Sequence, residues 1–207
     1  MLDWGEDSWV TVKENHISFS FDLCKVMFCS GNNTERMRMG SLRIPSEVVV
    51  DLFCGIGYYT VPLLVHASAR RVHACEINPH SVAALRRNLL AHDVADRCVI
   101  HEGDNRLTTH GLQGVASRVL CGLLPSSKGG WAVAVYVLSK DGGVIHIHEN
   151  VHEKEIASFA EEARSEIERL SRDAGKEMQV RVGHVERVKS YAPRVLHVVV
   201  DLYCVPV

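Results

Sequence analysis

The sequence predicts an α/β fold with a doubly wound, mostly parallel sheet, an antiparallel edge strand and a short β-hairpin in front. Three observations carry this expectation. From residue 48 onward, short apolar runs alternate with helical stretches. A glycine loop closes the first of those runs, and an acidic residue stands at the end of each of the first three. At 207 residues the chain suits one such domain with a small addition, and it can bury a substantial core.

Each element has its own signal. SWVTVKEN and HISFSFDLCKVMF (8–28) alternate in strand fashion about a turn near Glu14-Asn15, which predicts the hairpin. NNTERMRMGSL (32–42) opens on capping side chains and continues as a short helix with basic residues. VVVDLF (48–53) is the apolar run of a buried parallel strand. YYTVPLLVHAS reads as a helix, RRVHACEI as a strand, and PHSVAALRRNLLAH as a helix with Pro79 in its first turn. CVIHEGD and ASRVLCGLL are two further strands, GGWAVAVYVLSK an apolar helix, and GGVIHIHENV a fifth strand of the sheet. EKEIASFAEEARSEIERLSRDAG is a long charged helix stopped at Gly175. MQVRVGHVERV and RVLHVVVDLYCV close the chain as antiparallel neighbours at one edge, and no repeat or low-complexity linker interrupts the series.

Composition narrows the function classes. The formal charge of −2 shows no basic excess, so nucleic-acid binding has to rest on a local patch or on a segment outside this chain. Twelve histidines leave room for a rise in charge at mildly acid pH. The seven cysteines, at 24, 29, 54, 75, 98, 121 and 204, form no C-x-x-C pair. Reduced, mostly buried thiols in a cytoplasmic protein are expected rather than a disulfide framework or zinc knuckle. The opening MLDWGEDSWV is acidic and has no leader-peptide pattern, and no apolar stretch nears the roughly 20 residues of a membrane span.

The chemistry concentrates at strand ends. Asp51 ends the first parallel strand, and Gly55 and Gly57 let the backbone approach a ligand or simply make a tight turn. Glu76 lies about 20 residues further on, where an acid can take both ribose hydroxyls. Asp104 and Asn105 end the third strand, at an adenine edge or as a helix cap. Three acids suit a neutral-to-cationic nucleoside such as S-adenosylmethionine better than a pyrophosphate. A dinucleotide loop would also need a third small residue, where this chain has Thr60 behind Tyr58 and Tyr59.

The stretch VVVDLFCGIGYYTVPLLVHASARRVHACEINPHSVAALRRNL, with GDNR and GLLPSS, resembles the wybutosine-synthesis aminocarboxypropyltransferases. These are relatives of the enzymes that methylate N1 of the guanosine beside the tRNA anticodon. The resemblance runs from about Trp9 to the C-terminus and takes in FDLCKVMFCSGNNTER (21–36) and VKSYAPRVLHVVVDL (188–202). It implies a Rossmann-like class I methyltransferase fold with S-adenosylmethionine as cofactor. It further implies transfer of the 3-amino-3-carboxypropyl group to 4-demethylwyosine, the tricyclic wybutosine precursor beside the anticodon of phenylalanine tRNA, releasing methylthioadenosine. Ser30-Gly31-Asn32-Asn33 and Gly122-Leu123-Leu124-Pro125 depart from the guanosine methyltransferases and look like the aminocarboxypropyl group. The uridine C5 methyltransferases share a similar glycine loop, but their cysteine nucleophile and Asp-Pro-Pro loop are not in place, and Cys121 reads as a buried thiol.

The resemblance also assigns roles. Ser30, Glu35 and Arg36 lie where the family's short helix covers the methionine end, Arg36 for the carboxylate and Glu35 for the ammonium, with a solvated helix face as the competing reading. Pro125, Ser126 and Ser127 edge the acceptor-base pocket. Tyr58 and Tyr59 either stack on a base or pack, and Asn78 either brushes the nucleoside or starts a helix. Lys189, Ser190 and Tyr191 form a loop between the last strands that either touches RNA phosphate or does not. His146 and His148 share a strand face, and no metal is expected of them. Residues 1–42 are expected to be the remnant of an RNA-docking region and 43–207 the catalytic domain. A fragment, an alternative start, a separate docking subunit, a guanosine N1-methyltransferase and a non-catalytic binding module all stay open.

Overall fold

A computed structural model describes residues 8–207. Residues 1–7, with most of the acidic opening, lie outside the described residues. The hairpin consists of β1 (Trp9–Glu14) and β2 (Ile17–Asp22). Its turn falls on Asn15 and His16, one residue later than expected, because both take the left-handed backbone of a two-residue hairpin turn. Ile17, Phe19 and Phe21 all point into the core. Against α3 (Pro79–Ala91), Ser20 N donates to Asn88 Oδ1 at 2.7 Å, and Ser18 N to His92 Nε2 just beyond the helix at 3.1 Å.

The main sheet has seven strands in the order β5-β4-β3-β6-β7-β9-β8. β3 (Val48–Asp51), β4 (Arg71–Glu76), β5 (Cys98–Glu102), β6 (Arg118–Cys121) and β7 (Gly143–His152) are parallel. β9 (Val195–Pro206) runs antiparallel between β7 and β8 (Met178–Ala192). The chain winds outward in opposite directions from β3 and β6, so a crevice opens at their carboxyl ends.

Helices α5 (Trp131–Val137) and α6 (Ile156–Asp173) cover one face of the sheet; α2 (Thr60–Val65), α3 and the hairpin cover the other. α1 (Asn33–Gly40) lies near β8, and a single turn of helix, α4 (Asn105–Thr108), follows Asp104, the residue for which a helix cap is one of the two sequence readings. Gly175 ends α6 with φ +69°, while Lys176 N reaches Ser171 O at 2.8 Å and Gly175 N reaches Arg172 O at 2.9 Å, the paired bonds of a Schellman stop. The strand expected over 48–53 stops at Asp51, since Leu52 and Phe53 already turn into the glycine loop. Among the described residues no helix is long and apolar enough to cross a membrane.

Candidate active site

Gly55 and Gly57 adopt φ +55° and +97°, in the region that disfavours side chains. A Cβ on Gly57 would stand 2.7 Å from Val61 and 2.8 Å from Leu85, so this glycine lets α2 and α3 close on the loop. The loop is held from the neighbouring strand: Glu76 accepts Gly55 N–H at 2.9 Å through one carboxylate oxygen and Asn78 N–H at 2.7 Å through the other. Each oxygen keeps a second lone pair.

Beside Glu76 opens a cleft of about 370 Å³, within the size range of a small-molecule site. Its lining includes Phe53, Glu76, Ile77, Asp104, Asn105, Arg106, Gly122 and Leu123. Ile77 and Leu123, 68% and 43% exposed, are apolar side chains that a planar ring can cover. Asp104 caps α4 by accepting Arg106 N–H at 2.9 Å, and the Arg106 guanidinium beside it holds its carboxyl down at about 2. Asn105 spends its amide on Leu52 O at 2.9 Å, so it braces the glycine loop from below. The sequence reading missed Phe53, Ile77 and Arg106, and had Leu123 only as part of the stretch after the fourth strand. An apolar residue directly after a strand-end acid, as in Glu76-Ile77, was the available signal.

Several expected site residues have other tasks. Asp51 is fully buried and does not line the cleft; it accepts Thr60 Oγ1–H at 2.8 Å, and burial raises its carboxyl to about 7. Asn78 caps α3 by accepting His80 N–H at 3.0 Å. The Tyr58 hydroxyl donates to Met27 O and its ring packs with Phe19 and Phe28, while Tyr59 is buried against His148; both therefore take the packing role.

Arg36 departs most from expectation. It is 2% exposed, forms a close ion pair with Glu14 of the hairpin, and donates to Cys29 O at 3.0 Å and Ser30 O at 3.3 Å. Both terminal nitrogens are thus engaged inward, which leaves no two-pronged grip for a ligand carboxylate. Ser30 itself is exposed, its carbonyl held by Arg36. Glu35 is fully buried and bonded twice to Arg38, at 2.7 and 2.8 Å. Burial raises its carboxyl to about 7 against the pull of Arg38.

The 122–127 loop is braced from β7. Pro125 O accepts Asn150 N–H at 2.9 Å, Ser126 Oγ donates to Glu149 Oε2 at 2.9 Å, and Ser127 Oγ accepts Trp131 Nε1–H at 3.1 Å. Lys189, Ser190 and Tyr191 belong to β8 rather than to a loop, because bulged pairing carries that strand to Ala192. Lys189 Nζ donates to Cys29 Sγ at 2.8 Å. His146 and His148 do share a buried face: His146 lies between Arg118 and Asp201 at 2.6 Å each, and His148 contacts His197 at 3.0 Å. All seven thiols are free, and burial pushes the Cys121 thiol well above its ordinary range.

Comparison with known proteins follows this geometry. Residues 10–182 match the family model of the TRM5/TYW2 methyltransferase domain. The chain is 48% identical over 200 residues to "tRNA wybutosine-synthesizing protein 2/3/4" of Arabidopsis thaliana, covering 97% of this chain and 20% of that protein. It superposes on M. jannaschii TYW2 in complex with AdoMet with a TM-score of 0.87 at 32% identity, covering 99% of this chain and 89% of the other. P. horikoshii TYW2 in complex with MeSAdo gives a TM-score of 0.85, also at 32% identity, over 98% and 73% of the two chains. The chain spans from about a fifth to 57% of the length of the curated relatives considered.

Proposed function

The chain belongs to the TRM5/TYW2 methyltransferase-domain family, and from that premise we propose that it binds S-adenosylmethionine and transfers its 3-amino-3-carboxypropyl group to the wybutosine precursor 4-demethylwyosine beside the anticodon of phenylalanine tRNA. The observation that carries this reading is the cleft at the tips of β3 to β6. There a carboxylate with spare lone pairs, Glu76, stands next to two uncovered apolar side chains, Ile77 and Leu123. That combination fits a nucleoside, with Glu76 taking the ribose hydroxyls and Asp104 the adenine edge. TYW2 structures at 32% identity hold AdoMet and MeSAdo, the latter being the by-product of aminocarboxypropyl transfer.

Bound there, S-adenosylmethionine supplies a sulfonium whose neighbouring carbons are electrophilic. The protein's part is to decide which carbon meets the acceptor in line. Gly55 and Gly57 admit the amino-acid arm close to the backbone. Glu35, buried against Arg38, seats α1 rather than meeting the ammonium itself, and Arg36 orders the 29–30 turn beside Ser30 rather than gripping the ligand. Pro125 and Ser126 edge the acceptor pocket, where the Ser126–Glu149 bond holds the loop in place. In the same reading residues 1–42 are the remnant of an RNA-docking region and 43–207 the catalytic domain, and the protein works in the cytoplasm.

Incubation with cofactor labelled in the methyl or the carboxypropyl group, on tRNA from cells lacking the enzyme, tests the proposal. Carboxypropyl label in tRNA is the expected result. Methyl label would make the protein a guanosine N1-methyltransferase, and no label a binding module.

A further inference from the structure

The formal charge of −2 conceals an uneven distribution. On α6 the arginines are neutralised where they stand: Arg164 pairs with Glu161 and Glu168, and Arg169 with Glu166 and Asp173. At the amino ends of β3 and β4 they are not. Residues 43–48 run there beside 67–71, with Ile44 N–H donating to Ala67 O at 3.1 Å and Arg70 N–H to Glu47 O at 3.0 Å. This seam bears Arg43, Arg70 and Arg71, all exposed, and their guanidinium groups have no hydrogen bond or ion pair among the described residues. Its single carboxylate, Glu47, is already held by Arg118 through two bonds, at 2.7 and 3.1 Å.

Two hollows flank the seam. One, of about 360 Å³, is lined by Val48, Arg70, Arg71, His73 and Val115; the other, of about 480 Å³, has His16, Ser41, Arg43 and His66 in its wall. Among the described residues no carboxylate lines either of them. The field of Arg71 reaches into the first: His73 is pushed down to about 4, by burial first and then by the charges of His101 and Arg71. Three guanidinium groups without counter-ions, set around hollows with no acid in their walls, match an anion and above all phosphate. The charges are strung along a seam rather than closed round one point, which suits a polyanion better than a single phosphate ion.

We propose that Arg43, Arg70 and Arg71 form a docking surface for backbone phosphates of the tRNA substrate, apart from the cleft that holds the cofactor. The inference rests on the transferase reading above. α1 joins the two places: it starts just after Ser30 and ends at Gly40, with Ser41 and Arg43 following, and its eight residues span about 12 Å. Along β4, Arg71 and Glu76 stand at opposite ends, roughly 16 Å apart at about 3.3 Å per residue. An RNA with one base at the cleft can therefore lay its backbone against the seam a few nucleotides away. Contacts of this kind fix register and orientation without reading sequence. They give a chain with no basic excess the local patch that RNA binding requires.

Filter binding of phenylalanine tRNA and of an unrelated tRNA over a series of salt concentrations tests the surface. With Arg43→Gln, Arg70→Gln and Arg71→Gln combined, the slope of log affinity against log salt should shrink by about 0.7–0.9 per arginine removed. Both tRNAs should then bind on the order of 10²-fold more weakly at about 0.15 M salt. Arg71→Lys should keep the wild-type slope, because the charge stays. S-adenosylmethionine affinity by calorimetry and the single-turnover transfer rate at saturating tRNA should not change. A triple variant with the wild-type slope overturns the inference, as does a wild type that binds no tRNA. A weakening confined to phenylalanine tRNA also overturns it, since phosphate contacts carry no sequence. Failure of wild type to transfer either label sinks the transferase reading itself, whereas an unchanged slope with transfer intact sinks only the role of the seam.

Discussion

Arg38 and Asp201, 163 positions apart, meet in a two-bond pair, Nη1 to Oδ2 at 2.6 Å and Nη2 to Oδ1 at 3.0 Å. The pair sits mid-way in a chain of ionic and hydrogen-bonded contacts from Glu35 through Arg38, Asp201, the neutral His146 and Arg118 to Glu47. α1 is thus seated on β9 and β7 by charge rather than by an apolar stripe.

Removing Arg38 leaves Glu35 and Asp201 buried without their cation, and an orphaned buried charge costs far more than an intact pair contributes. Arg38→Ala should lower stability by about 3 kcal/mol, the lower end of the range for broken buried pairs, because Arg38 remains partly exposed. Denaturant unfolding reads this directly, and a loss below about 1 kcal/mol would show that water replaces the guanidinium.

Glu76→Ala removes the proposed ribose acceptor and also frees Gly55 N–H and Asn78 N–H. S-adenosylmethionine binding is expected to weaken by about 1–3 kcal/mol. Calorimetry that returned unchanged affinity would remove Glu76 from the nucleoside site.

Gly57→Ala meets a positive φ and two side chains inside 3 Å, so about 1–3 kcal/mol of stability should be lost. A Cβ on Gly111 meets nothing within 4 Å, and Gly111→Ala should be neutral or slightly stabilising. Melting temperatures of the two variants check the contrast.

Asp51 has its folded carboxyl raised by burial from an ordinary 3.8 to about 7. Between those values the folded state binds the proton that the unfolded state has released, so this residue's contribution to stability falls as pH rises through the window. Asp51→Asn abolishes that slope. Its unfolding free energy relative to wild type should improve from pH 5 to pH 8, by on the order of 1 kcal/mol per pH unit at most. A difference that stays constant with pH would mean that Asp51 is ionised in the fold.

The helices and strands were legible because their signals are local. Asp51, Glu76 and Asp104 could be placed at strand tips for the same reason, and two of the three line the cleft. Arg36 was misread because its partner Glu14 comes from a hairpin whose docking no local pattern encodes. Lys189 was placed in a loop because three irregularities of register, invisible in single-strand alternation, extend β8 to Ala192.

The sequence alone determined the alternation of elements, the glycine turn and the family, since each depends on residues a few positions apart or on motifs in fixed order. Tertiary structure alone decided which polar groups are spent on the fold and which remain for a ligand. Burial withdraws water from groups such as Arg36, Glu35, His148 and His197, and the partner each then finds, or lacks, is supplied by a segment distant in the chain.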